Sequence, residues 1–293
     1  MKRLLAFISQ ERSGYLPITP YNSLTKKHMH KLIKLFSKRS TWAIPYAVFL
    51  MLFVVLPLIL IGVYAFMDND GGFTIANFVK FVEQPEAIKT FIYSVAVAIV
   101  TTFFTILLGY PAAYILSNKE FNRSKTMVLL FILPMWVNVL IRTLATVSLF
   151  DITGIPLGEG ALLFGLTYDF LPFMIYPIYN TMMKIDKSLI EAAQDLGANQ
   201  MRVFLKVILP LSLPGVVSGI MMVFLPTIST FAISELLTMN DIRLFGSIIQ
   251  ENIMLSDTMN YGAALSLLML LIIGVTSAFG NDSEEEMSHG GII

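Results

Sequence analysis

Six apolar stretches dominate the pattern of hydrophobic and polar positions along the chain. A helix needs about 20 residues to cross the roughly 30 Å hydrocarbon core of a bilayer. Because no water reaches a lipid-facing backbone, such a stretch must be helical to satisfy its own N–H and C=O groups. Prolines interrupt the fourth stretch, and the sixth is short. The pattern predicts six transmembrane helices: Ile44–Phe66, Phe91–Leu116, Met127–Phe150, Ala161–Met183, Leu213–Glu235 and Ala263–Phe279.

Composition supports an all-α integral membrane protein and excludes several other classes. Of the 293 residues, 56% are hydrophobic and 14% are charged, against about a quarter charged in an ordinary soluble domain. A water-soluble enzyme is therefore excluded. The formal net charge of zero removes a global argument for nucleic-acid binding. The chain has no cysteine and its three histidines lie outside the apolar stretches, so we expect no metal centre and no catalytic residue.

The basic residues indicate how the spans are oriented. Sixteen of the twenty Lys and Arg residues precede the first span or lie in the second-to-third and fourth-to-fifth connections. Only Lys80, Lys89 and Arg243 lie in the opposite connections. Because Lys and Arg concentrate in cytoplasmic loops, we expect a multi-pass protein of the cell membrane with both termini cytoplasmic. The predicted parts are a basic segment 1–43, a six-span domain 44–280 with a cytoplasmic loop 184–210, and an acidic tail 281–293.

The loop 184–210 carries the most specific local pattern. Ser188 followed by Glu191 has the spacing of a capping box that opens a helix. Gly197 suits the left-handed position that ends a helix, and Asn199 can cap a second short helix. Pro210 then precedes the next span. The pattern predicts two short helices joined at a glycine and exposed to the cytoplasm.

The same loop resembles a known motif. Glu191-Ala192-Ala193, then Gly197, then Leu209-Pro210 is similar to the EAA signature of ATP-binding-cassette importer permeases. Further segments resemble the polyamine (spermidine/putrescine) type of these permeases, across about residues 40–280. They are Leu133-Pro134-Met135-Trp136, Ile141-Arg142-Thr143, Tyr168 to Met174, Phe224-Leu225-Pro226 and Ser234-Glu235-Leu236. The family usually has Asn where this chain has Asp169.

The resemblance implies a fold, a function and partners. The fold is the six-span, type I importer permease (MetI-like) architecture. The function is to form part of the translocation pathway for polyamines, with Glu191, Ala192, Ala193, Gly197, Leu209 and Pro210 coupling it to the ATPase. The partners are a homologous permease, two cytoplasmic ATP-binding-cassette ATPases and an extracytoplasmic substrate-binding protein. The sequence has no Gly-Lys dipeptide and therefore no phosphate-binding loop of its own, so the partner ATPase, and not this chain, would use ATP, and we expect no cofactor bound here.

Charged and aromatic residues within the spans are candidates for the substrate path. Arg142 and Asp169 lie at similar expected depths, so they either pair with each other or Asp169 faces the path. In the second case Tyr168 and Phe170 would add cation–π contacts to a cationic substrate. Glu235 lies at the expected outer mouth, on a face with ten acidic and three basic residues. That excess either attracts polycations or only reflects topology.

Other hypotheses remain open at this stage. The chain could serve another solute, such as ferric iron, thiamine or an inorganic anion. An ion-driven secondary transporter would need intramembrane ionisable groups, and this chain has few. A membrane scaffold without transport activity is the third alternative. The small-residue pair Gly215 and Gly219 predicts a close helix approach, either to a partner permease or to another span of the same chain.

Overall fold

The structure, a computed structural model, describes residues 39–118 and 126–289, with the surroundings of side chains given for 43–118 and 126–277. Almost all of the predicted basic segment 1–43 lies outside the described residues. Within the described residues the chain divides into two compact units, with the boundary between Leu60 and Ile61. The regular secondary structure of its described residues is helical, and one isolated β-bridge joins Met67 and Phe73.

The helices follow one another in this order. The first span consists of α1 and α2 with a π-helical turn between them, and short helices flank the longer ones. The bounds are α1 Arg39–Leu50, the π-helical turn Met51–Val55, α2 Leu56–Ala65, α3 Ala76–Glu83, α4 Pro85–Ser117, α5 Thr126–Trp136, α6 Val139–Thr153, α7 Glu159–Met182, α8 Lys187–Asp195, α9 Gln200–Val203, a second π-helical turn Phe204–Ile208, α10 Leu209–Ser229, α11 Ala232–Thr238, α12 Phe245–Met254, the 3₁₀ turn Ser256–Thr258 and α13 Met259–His289.

The prediction of six spans agrees with these helices. Five described helical segments are long and apolar enough to cross a membrane, and α5 with α6 makes a sixth if the bent pair is one span. The fourth span, α7, is continuous although Pro172 and Pro177 lie inside it. The candidate sixth span ends at Ser277, close to the expected Phe279, but its helix α13 continues to His289 through the acidic residues that we predicted as a tail.

The third span was predicted as one helix over Met127–Phe150, and this prediction is wrong. The helix ends at Trp136, and α6 begins at Val139 at an angle of 95° to α5. Pro134 interrupts the backbone hydrogen bonds of the last turn of α5. The side chain of Asn138 then accepts a 2.8 Å hydrogen bond from the Leu140 N–H, which caps the new helix.

The fifth span differs from its prediction at both ends. It was predicted as Leu213–Glu235, but the helix α10 ends at Ser229, and α11 is a separate short helix that holds Glu235. Thr230 between them is extended. At the other end the helix begins as early as Gln200 and continues into the span through the π-helical turn.

The fourth span forms the centre of the second unit. In its most apolar window 61% of the residues are buried, compared with 33% for α4 and 22% for the fifth span. Leu162, Leu166, Met174 and Ile178 are completely buried there. Both α4 and α10 pack on this helix. The position of α7 therefore fixes the positions of the side chains on α4 and α10 that face it.

Gly215 and Gly219 serve this internal packing. A Cβ atom added at Gly215 would lie 2.6 Å from Thr181 Oγ1 and 2.8 Å from the Pro177 carbonyl oxygen, both on α7. One added at Gly219 would lie 2.6 Å from the Met174 sulfur. Of the two contacts considered from the sequence, the structure therefore shows the one between spans of the same chain.

We predict that Gly215→Ala lowers the free energy of unfolding by about 1–3 kcal/mol, because the added methyl group overpacks the contact with α7. The midpoint of thermal unfolding of the purified protein in detergent measures this effect. Gly274→Ala is the matched control, since nothing lies within 4 Å of a Cβ at Gly274. Equal midpoints for the two variants would contradict the packing role of Gly215.

Candidate functional site

The first helix of the loop begins two residues earlier than predicted. The cap is Asp186, whose carboxylate accepts a 3.0 Å hydrogen bond from the Ser188 N–H. The predicted capping box of Ser188 and Glu191 is therefore wrong. Asp186 has the same capping chemistry as serine and lies just before the first helical residue. Hydrogen bonds from the backbone and side chain of Ser188 lower the pKa of Asp186.

The end of α8 and the start of α9 follow the predicted pattern. Gly197 adopts φ +81°, a left-handed conformation that glycine reaches without steric cost. The N–H groups of Gly197 and Ala198 bond to carbonyl oxygens in the last turn of α8. Asn199 accepts a 2.9 Å hydrogen bond from the Arg202 N–H and caps α9. The two short helices are thus joined by a defined turn rather than by an irregular loop.

The predicted coupling residues differ in exposure. Glu191, Ala192, Gly197 and Pro210 are exposed, whereas Ala193 and Leu209 are partly buried. Leu209 packs against the main core. Beside them Leu196 is 90% exposed and Leu189 is 48% exposed. Apolar side chains on a polar, helical loop form a surface that suits contact with another protein.

Arg142 and Asp169 form an ion pair inside the second unit. Arg142 Nη2 lies 3.2 Å from Asp169 Oδ1 and donates a 3.1 Å hydrogen bond to the Asp169 carbonyl oxygen. Thr143 donates a 3.1 Å hydrogen bond to the other carboxylate oxygen. The side chains are 7% and 1% exposed. The pairing considered from the sequence is therefore present, and it joins α6 to α7 beyond the break in the third span.

A cavity of about 570 Å³ lies where the two broken helices meet α7. Its walls come from the break between α5 and α6, from one face of α7, and from the break between α10 and α11. The lining residues are Met135, Trp136, Val137, Asn138, Val139, Arg142, Phe170, Phe173, Pro226, Thr230, Ala232 and Ile233. Breaks in membrane helices that line a cavity are typical of solute-binding regions in transporters.

The structure brings some of the predicted path residues to this cavity and not others. Arg142 and Phe170 line it. The guanidinium carbon of Arg142 lies 5.7 Å from the centroid of the Tyr168 ring. That ring stacks on Phe164. Asp169 is paired and buried behind the cavity wall, and Glu235 is partly buried on α11.

Sequence reasoning did not select Trp136 and Phe173 as lining residues. Both belong to segments that resemble the permease family. A third span predicted as one continuous helix gave no reason to expect a cavity beside them. The signal that identifies the break is Pro134 followed by the capping residue Asn138. With the break in place, Trp136 ends a helix and borders the cavity.

Membrane-length helices, a cavity at two helix breaks and a capped pair of short helices between the fourth and fifth spans define the class: this is a multi-pass membrane protein with the fold of a transport permease. The chain belongs to the family of binding-protein-dependent transport system inner membrane components, whose sequence profile matches residues 105–281.

Related proteins support the family assignment. The spermidine/putrescine transport system permease protein PotB of Haemophilus influenzae is 32% identical over 253 residues, which cover 77% of this chain and 88% of that protein. The PotB proteins of Escherichia coli K12 and Salmonella typhimurium LT2 are each 30% identical over 249 residues. These cover 77% of this chain and 90% and 86% of the relatives, respectively.

Solved structures support the fold. An inward-facing structure of the MetNI methionine ABC transporter matches with a TM-score of 0.56 at 19% identity, over 68% of this chain and 95% of that chain. A bacterial ABC transporter involved in import of the acidic polysaccharide alginate matches with a TM-score of 0.60 at 14% identity, over 88% and 99%. The helical arrangement is thus that of an ABC transporter permease.

We predict that Asp169→Ala destabilises the protein by about 3–5 kcal/mol, because it leaves the buried guanidinium group without a counter-charge. The double variant Asp169→Leu with Arg142→Met should recover most of this loss, since it removes both charges. Unfolding midpoints of Asp169→Leu, Arg142→Met and the double variant, each compared with the unsubstituted protein, form a double-mutant cycle. Additive effects of the single substitutions would show that the two side chains do not stabilise each other.

Proposed function

We propose that this chain is a permease subunit of an ATP-driven importer of polyamines such as spermidine and putrescine. The observation that carries the proposal is the capped pair of short helices α8 and α9, built on the EAA-like residues, in a chain related to PotB proteins over 77% of its length. In this function the chain forms part of the pathway, and a separate ATPase supplies the energy.

The loop is the proposed contact with that ATPase. The cap at Asp186 and the turn at Gly197 fix the direction of α8, so that Leu189 and Leu196 project as an exposed apolar surface. A groove on a cytoplasmic ATPase is the partner that such a short, rigid, partly apolar helix fits. The complex would contain a homologous permease, two ATP-binding-cassette ATPases and an extracytoplasmic substrate-binding protein.

The proposed orientation places this loop and both termini in the cytoplasm. It rests on the distribution of Lys and Arg, sixteen of which lie in the N-terminal segment or in the connections on the side of the loop. Basic residues in short loops stay on the cytoplasmic side of the membrane. The breaks at Asn138 and Thr230 then lie within the membrane, where the cavity between them can hold a solute.

The chemistry of the cavity suits a polyamine. Trp136, Phe170 and Phe173 offer aromatic faces to ammonium groups and the methylene chain between them. Arg142 would repel a cation, but its pairing with Asp169 balances that charge. Glu235 on α11 and the other carboxylates of the expected outer connections would raise the local concentration of a polycation.

Reconstituted transport tests the substrate. We expect liposomes that contain the complete complex and ATP to take up radiolabelled spermidine when the binding protein is present. Unlabelled putrescine should compete, whereas ferric iron, thiamine and sulfate should not. Uptake that continues without ATP while an ion gradient is maintained would contradict the ATP-driven mechanism. ATP-driven complexes that reject both polyamines would contradict the substrate alone.

We predict that Gly197→Asp leaves the protein inserted in the membrane but separates ATP hydrolysis from spermidine uptake. The substitution places a charged side chain on the exposed turn between α8 and α9 and strains its left-handed backbone. Gly154→Asp is a matched control, because Gly154 also has a positive φ, of 71°, and open space around it. Normal uptake by well-expressed Gly197→Asp would count against the coupling role of the loop.

A further inference from the structure

The cytoplasmic loop contacts a span that is not its neighbour in the sequence. The ring of Phe204, in the π-helical turn after α9, packs edge-on against Tyr114 and Tyr110 of the second span. The ring centroids are 5.3 Å and 6.0 Å apart, respectively. Edge-to-face aromatic pairs of this geometry are favourable beyond the area that they bury. We name Tyr110, Tyr114, Phe204 and Ser212 the aromatic clamp.

A buried hydrogen bond fixes the position of the clamp. The hydroxyl oxygens of Tyr110 and Ser212 are 2.8 Å apart, and both residues are buried. The Ser212 hydroxyl donates to the Leu209 carbonyl oxygen at 2.9 Å, so Tyr110 supplies the proton of the shared bond. Sliding α4 along α10 would leave the buried Tyr110 hydroxyl without this partner, which is costly.

The backbone at the clamp differs from that of a regular span. Phe204 begins the π-helical turn Phe204–Ile208, and the Leu209 N–H bonds to the Phe204 carbonyl oxygen. Turns of this kind are frequent sites of adjustment in helices. A displacement of α8 and α9 therefore reaches the fifth span through an irregular turn, whereas it reaches the second span through packed side chains.

We propose that the aromatic clamp is the joint that carries movement of the loop 184–210 to the second span. The proposal rests on the proposed coupling of this loop to an ATPase. Phe204 is a positioning residue that moves α4 with the loop, and the Tyr110 hydroxyl is a positioning group that keeps α4 and α10 in register through Ser212. Neither residue lines the cavity, and neither is an exposed residue of the coupling surface.

Distances between spin labels test the joint without any transported solute. Because the chain has no cysteine, Lys187→Cys and Leu108→Cys place one label on the loop and one on the second span, both at exposed positions. The complete complex in nanodiscs is measured without nucleotide and trapped with ATP and vanadate. In the labelled protein that keeps Phe204, called the parent, we expect the same distance between the labels in both states. With Phe204→Ala added, we expect the distance to differ between the two states. A parent distance that changes, or a Phe204→Ala distance that does not, would overturn the proposal.

Transport coupling gives a second readout that a merely structural role would not change. We expect Phe204→Ala to retain ATP hydrolysis while the spermidine taken up per ATP falls roughly fivefold or more. Phe204→Tyr should restore the ratio, and Tyr110→Phe should lower it less than Phe204→Ala does. Phe103→Ala is the matched control, because Phe103 has a similar ring contact on the exposed side of α4.

The outcomes separate this proposal from the proposed function. If Phe204→Ala lowers ATP hydrolysis and uptake in proportion, or if Phe103→Ala has the same effect, the clamp is structural and the proposal fails. A parent complex that hydrolyses no ATP would instead refute the proposed function, and the joint with it. A parent that hydrolyses ATP but takes up no spermidine would refute only the polyamine assignment, since the label distances still decide the role of the clamp.

Discussion

Within a membrane every backbone N–H and C=O needs a partner from the protein, and the prolines of this chain make that constraint visible. Pro57 and Pro210 each lie two residues after a π-helical turn. In such a turn each backbone hydrogen bond spans one residue more than in an α-helix, and the proline that follows has no N–H to donate. Pro172 lies inside the fourth span and removes one backbone N–H donor from the preceding turn. Arg142 donates a hydrogen bond to a carbonyl oxygen of that turn, the one of Asp169. The buried arginine thus supports the backbone of α7 as well as pairing with a carboxylate.

The same constraint explains where the cavity lies. A span can be interrupted only where its freed backbone groups find other partners. Asn138 supplies such a partner at the first break through its side chain, and at the second the Thr230 N–H bonds to the Pro226 carbonyl oxygen. Both breaks face α7, which the other spans bury most. The cavity is therefore lined at both breaks by helix ends whose backbone groups have partners.

Local signals predicted much of the structure, and long-range contacts could not be predicted in the same way. Six apolar stretches gave the number of spans, and Gly197 and Asn199 were predicted in the roles that they have, because each acts on the backbone within a few residues. Asp186 shows that a cap is easily misplaced when two capping residues are close together. Asn138 indicates a helix start within the third span, but the length of the apolar stretch favoured one continuous helix instead. Phe204 contacts residues about 90 positions away along the chain. The hydrophobic pattern of a single sequence does not predict such a contact.

Stiff and adaptable regions alternate along the path from the loop to the cavity. Capped helices and a defined turn make the loop stiff, and the ring of Phe204 packs it against the second span. The π-helical turn and the two breaks are the points at which the backbone departs from regular helix. Packed interiors shift between discrete arrangements rather than deform continuously. We therefore expect a movement of the loop to displace the helices at the two breaks that line the cavity. There the ion pair of Arg142 and Asp169 holds α6 against α7. An alternating-access cycle needs this arrangement, because a uniformly rigid bundle could not change the side to which its cavity opens.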